Sequence, residues 1–154
     1  MLSLVALLLG AIALGSCGGD DANSREAKNA YVAKVNAAQM DFASTVTTVS
    51  QRITPQSSPG QDRRTLRSFE KAIADVVAKL RSIDVPASVT VEHKQLVSAM
   101  TGFGAEIKKA TEALRNPDTR NIAEAQRSIS SATQTVNGQI DAAIAAINSK
   151  LSKT

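Results

Sequence analysis

The chain has 154 residues, with 18 Lys or Arg, 14 Asp or Glu and a formal net charge of +4; apolar residues make up 43% of it. Charges of both signs are mixed along the sequence, without the long basic or acidic tail that points to nucleic acid or to a membrane surface. A single cysteine excludes an internal disulfide, and the few aromatics (Tyr31, Phe42, Phe69, Phe103, no Trp) among many alanines favour helix over sheet.

From Leu2 to Leu14 no residue is charged. This run suits the apolar core of an export signal and falls short of the ~20 residues that a membrane-spanning helix needs. It ends in Leu14, Gly15, Ser16 and Cys17. An aliphatic residue three positions before a cysteine, with two small residues between, resembles the lipobox of bacterial lipoproteins, where a processing peptidase passes the backbone through a narrow site. The resemblance covers the first 17 residues. Lipoprotein signals normally open with Lys or Arg, whereas Met1 here runs directly into Leu2, a departure that a start upstream of Met1 would explain. What the resemblance implies is cleavage before Cys17, a diacylglyceryl thioether on its sulfur carrying chains such as palmitate, and anchoring on the extracytoplasmic face of a cell membrane. Each buried methylene contributes about 0.8 kcal/mol, so two long chains hold far more firmly than one. An acylated Cys17 also accounts for a lone thiol in an exported chain.

Residues 17–23 read as a lipidated tether, because Gly18, Gly19, Asp20 and Asp21 oppose regular structure. At ~3.5 Å per residue it reaches about 20 Å from the bilayer. Residues 24–154 are expected to form one domain. Asn23 and Glu26 resemble a capping box, and Tyr31, Val35, Ala38, Phe42, Val46, Val49 and Ile53 then form a helical stripe over residues 24–53. Thr54 to Gly60 breaks that helix, and Ser58, Pro59 and Gln61 supply cap, first-turn proline and capping-box partner for a second over 59–83. Its stripe is Leu66, Phe69, Ile73, Val76, Leu80 and Ile83, in spacings of three and four that no strand would show.

A third stripe over 87–115 runs through Val89, His93, Leu96, Met100, Phe103, Ile107, Ala110 and Leu114. Asn116 and Pro117 are expected to end it and to cap a fourth helix over 117–152. The buried face there is marked by Ile122, Ala125, Ile129, Ala132, Val136, Ile140, Ala143, Ile147 and Leu151. Short connections make consecutive helices antiparallel neighbours, so the expected fold is an all-α, antiparallel up-down-up-down four-helix bundle behind a cleaved signal segment, residues 1–16.

Within such a bundle His93 is the only histidine, and Glu92 beside it has the wrong spacing for a di-iron Glu-x-x-His pair. No metal, cofactor or catalytic residue is expected, and neither a nucleophile elbow nor a phosphate-binding glycine loop occurs. Helix register puts His93 level with Tyr31 and Asp141, so one polar layer near the anchored end is expected, with His93 hydrogen-bonded to one of them. Gly102 and Gly104 flank Phe103; close helix contact is the first expectation there, and a small apolar pocket beneath Phe103 and Met100 the alternative. The two loops farthest from the anchor gather Arg52, Arg63, Arg64, Arg67, Lys108, Lys109, Arg115 and Arg120 against Asp62, Glu112 and Asp118. Such a basic tip suits an anionic envelope polymer or an acidic protein surface. Together these features predict a non-enzymatic lipoprotein, an interaction or envelope-associated module; a binding protein holding a small apolar or anionic ligand between its helices is the alternative.

Overall fold

A computed structural model describes residues 22–54 and 56–153 of the chain. The expected signal segment, Cys17 and the tether up to Asp21 lie outside the described residues. Four helices follow one another: α1 (Ala22–Arg52), α2 (Pro59–Arg81), α3 (Thr90–Ala113), preceded by a short 3-10 turn (Ala87–Val89), and α4 (Thr119–Leu151). At 1.5 Å per residue they are about 35 to 50 Å long. None of the described helices is long and apolar enough to cross a membrane.

The caps explain where the helices begin. Ser58 accepts a hydrogen bond from the Gln61 backbone N–H at 3.3 Å while its own N–H donates to Gln61 Oε1 at 2.8 Å, with Pro59 in the first position, as the sequence predicts for α2. The other starts differ. α1 is already helical at Ala22, one residue ahead of the Asn23 expected to cap it. For α4 the cap is Asp118, not Asn116 or Pro117: Asp118 Oδ1 accepts from the Asn121 N–H at 2.7 Å, and the Asn121 side chain ties back to the Asn116 carbonyl. A carboxylate there also meets the positive end of the helix dipole.

Tertiary contacts fix the up-down-up-down course. Lys34 near the start of α1 faces Asp84 just beyond α2, Lys79 near the end of α2 pairs with Asp41 of α1, and Glu92 at the start of α3 pairs with Lys150 at the end of α4. The helices therefore alternate in direction. Backbones approach most closely between α3 and α4, then between α2 and α3 and between α1 and α2, whereas α1 and α4 stand farther apart. The predicted stripes of α1, α2 and α3 are buried apart from Ile53, and that of α4 apart from Ile122 and Ile129. In α1 residues 25–30 are exposed or half-exposed, and from Tyr31 onward the helix has a buried face.

Midway along, Phe42, Phe69 and Phe103 bring α1, α2 and α3 together, with ring centroids 5.7 to 6.2 Å apart. Beside this cluster Gly104 lets α3 lie against α2, since a Cβ there would stand 3.2 Å from Ile73 Cγ2. Close contact thus accounts for Gly104. It does not account for Gly102, which is exposed and where a Cβ would meet nothing within 4 Å.

Candidate functional site

Three places could carry function: a polar layer at the end where α1 starts, an apolar void at the opposite end, and the basic surface around that void. In the polar layer His93 uses both ring nitrogens. Nε2 lies 3.0 Å from the Leu80 carbonyl oxygen and Nδ1 3.2 Å from the Tyr31 hydroxyl. A carbonyl can only accept, so Nε2 carries the proton and Nδ1 accepts from the Tyr31 O–H. Burial pushes the His93 pKa below its usual value, against the opposing pull of the Leu80 carbonyl. Burial, together with the charge of Glu92, pushes the Tyr31 phenol up to about 12. Both partners are therefore held neutral at pH 7, as that hydrogen-bond pattern requires.

The expected third member is absent. Asp141 is exposed and takes no part in the layer, because the α4 residues that turn inward near it are Ile140, Ala143 and Ile144. Glu92 stands in for it at the layer's edge, only 8% exposed, with Oε1 2.8 Å from Lys150 Nζ. The hydrogen bond from Lys150, then that from its own backbone N–H, keeps the Glu92 carboxyl below the usual carboxylate range. α3 thus carries a buried carboxylate beside its apolar stripe, at a position that the three-and-four spacing does not include. Its adjacency to His93 in the first turn of α3 was the one available signal. Both ring nitrogens being engaged, the imidazole acts as a tie between α1, α2 and α3 and offers no free base. Among the described residues no group of three or more His, Cys, Asp or Glu is arranged to hold a metal ion.

At the opposite end a void of about 50 Å³ lies between the four helices, walled by Val49 of α1 and Ile53 just beyond it, Leu66 and Phe69 of α2, Phe103 of α3 and Ala125 and Ile129 of α4. Its origin is a size mismatch. α4 supplies Ile122 and Ile129 as well, but its Ala125 and Thr133 are too small to close the space to a distant α1. Ligand pockets usually measure about 300 to 1,000 Å³, so this one is a packing defect rather than a cleft for a bound molecule. Phe103 lines it but Met100 does not; Met100 borders a separate void of about 10 Å³ beside Gln39 and Ile140. The alternative reading, a pocket lined by both residues, is not formed.

Around that end the predicted basic residues do gather, since α1–α2 and α3–α4 turn there. Arg52, Arg64, Arg67, Lys108, Lys109, Arg115 and Arg120 are exposed, as are Glu112 and Asp118. Two residues depart from the expectation. Arg63 is half-buried with its Nε enclosed, and Asp62 turns toward the void and accepts a hydrogen bond from Ser57. Lys109 is paired with Glu106 at 2.6 Å, one turn below the tip, which removes part of the local excess. Between the end of α1 and the first turns of α2 lies an open groove of about 460 Å³, bordered by Arg52 and Arg64, that the sequence did not suggest.

No protein-family model matches the chain, and no curated protein or solved structure matches it.

Proposed function

We propose that the chain is a lipid-anchored, extracytoplasmic bundle without catalytic activity, which holds its membrane-distal tip out as an interaction surface for an anionic envelope polymer or an acidic protein surface. The observation that carries this reading is Leu14, Gly15, Ser16 and Cys17 at the end of an uncharged run. Antiparallel topology supports it further: α1 starts at the end nearest Cys17, so both basic loops lie at the far end. Residues 25–30 of α1, which carry no core side chain, would add about 9 Å of helix to the tether's reach. The tip then stands clear of the headgroups, where clustered positive charge raises association rates with anionic partners.

Radiolabelled palmitate should enter the wild-type protein and not Cys17→Ala, and the variant should leave the membrane fraction. Equal labelling or equal retention would remove the anchor. For the tip, capture on an anionic polymer should weaken with salt and fail when Arg63, Arg64 and Arg67 are changed to Glu. Capture that survives this reversal would remove the interaction surface.

A further inference from the structure

We infer that the groove between α1 and α2 is a binding site for the phosphate ester of a polyol, met as a repeating unit of an envelope polymer or as the free monomer. The inference rests on the reading of the tip as an interaction surface and gives its partner a chemical class. The groove's volume of about 460 Å³ falls within the range of small-ligand sites, unlike the apolar void behind it.

Its lining is cationic and polar, without an acid among the described residues. Arg52, in the last turn of α1, forms one bank, and Arg64, one turn into α2, forms the other. Neither guanidinium is held by a carboxylate or by another hydrogen-bond acceptor among the described residues. Arg64 lies over Gly60, its Nη1 3.9 Å from where a Cβ would stand, an ordinary contact distance. The acid of the same turn, Asp62, lines the void on the other side and accepts from Ser57. Two forks of N–H donors across a gap match the oxygens of a phosphate, which guanidinium binds in bidentate fashion. The hydroxyl of Thr65 and the amides of Gln56 and Gln61 also line the groove, and such donors and acceptors suit the hydroxyls of a sugar or glycerol unit. No large apolar side chain is among the described residues that line the groove, a lining that suits a polar occupant better than an acyl chain.

The test uses the full chain in nonionic detergent, titrated with glycerol 3-phosphate, with a glycerol phosphate polymer and, for comparison, with polygalacturonate and glycerol. Both phosphate ligands should bind and glycerol should not. Arg52→Gln and Arg64→Gln should each lower affinity about tenfold or more, and Arg52→Lys, which keeps charge but loses the fork, should lower it less. A charge-matched control at the opposite end of the bundle, Lys94→Gln, should change it by less than about threefold. Thermal unfolding of the exposed-site variants should match wild type, which separates loss of site from loss of fold. Equal losses in control and groove variants, with polymer still bound, would overturn the groove and leave the tip reading intact. Polygalacturonate binding as tightly as the phosphate polymer would overturn the phosphate class. Binding of glycerol 3-phosphate without either polymer would uphold the groove and end the polymer reading of the tip, whereas no binding of any ligand would end both.

Discussion

The two ends of the bundle solve the same packing problem in opposite ways. At the end where α1 starts, Tyr31, Val35, Val89 and Ile147 are almost wholly enclosed, and His93 among them has both ring nitrogens satisfied. At the far end Ile53, Ile122 and Ile129 remain half-exposed around a void, and the helix leading into it, α1, passes through Thr45, Thr47 and Thr48, whose hydroxyls bond back to carbonyls four residues earlier. Such back-bonding and β-branching lower helix stability. A directional hydrogen-bonded tie thus fixes register at one end, while the other relies on non-directional burial and tolerates imperfect fit. The looser end also carries the basic residues and the groove. A surface that meets partners sits where the fold demands least of each side chain.

The largest effect should come from Phe103→Ala, which breaks the aromatic cluster and enlarges the void. Urea denaturation should show a loss of about 3 to 5 kcal/mol. A loss below about 2 kcal/mol would mean that the far end collapses around the deletion and is softer than its burial suggests. Tyr31→Phe should cost about 1 to 3 kcal/mol by leaving His93 Nδ1 without its donor in a buried place. No cost would show that the layer does not act as a tie.

The same layer predicts a pH dependence. The folded pKa of His93 lies below the unfolded value of 6.5, so the unfolded chain takes up a proton first as the solution is acidified. The stabilisation is full above about pH 6.5 and is lost as pH falls through the lower folded value. Glu92, whose folded pKa is also lowered, keeps its contribution above its ordinary 4.5 and loses it only in more acid solution. Stability measured between pH 7.5 and 5 should therefore fall in wild type and flatten in His93→Gln; parallel curves would assign the slope elsewhere.

Smaller changes sharpen the contrast from the far end. Ala125→Val places methyl groups in the void and should stabilise by about 1 kcal/mol, at about 0.8 kcal/mol per methylene with some strain. Destabilisation would mean that the void is not free to be filled. On α3, Gly102→Ala should stabilise by about 0.5 to 1 kcal/mol through helix propensity alone, whereas Gly104→Ala should destabilise, because its Cβ would press on Ile73. Thermal melts that rank the pair the other way would overturn the close-contact account.

Much of this architecture was legible before any contact was known. The three-and-four spacing of Leu66, Phe69, Ile73, Val76 and Leu80 leaves one face to bury, and Ser58, Pro59 and Gln61 mark a helix start by local hydrogen bonds that depend on nothing distant. The pairing of Tyr31 with His93 was readable for the same reason, since short turns set helix register. Asp141 was misassigned because a rotation of less than one residue about α4 decides between solvent and interior, and such a rotation follows from packing against α3. Glu92 was missed because its partner, Lys150, lies 58 positions away in the chain.

Local chemistry in the chain itself therefore determined the helices, most of their ends, the stripes that face inward and the end at which positive charge collects, because periodicity and capping act over a few residues. Which helices approach closely was decided only by the tertiary structure. The separation of α1 from α4 depends on whether rings or alanines meet at each level, and that depends on all four helices at once. The void, the half-exposed isoleucines and the groove between Arg52 and Arg64 follow from that separation and from how α1 turns into α2, so no single segment encodes them.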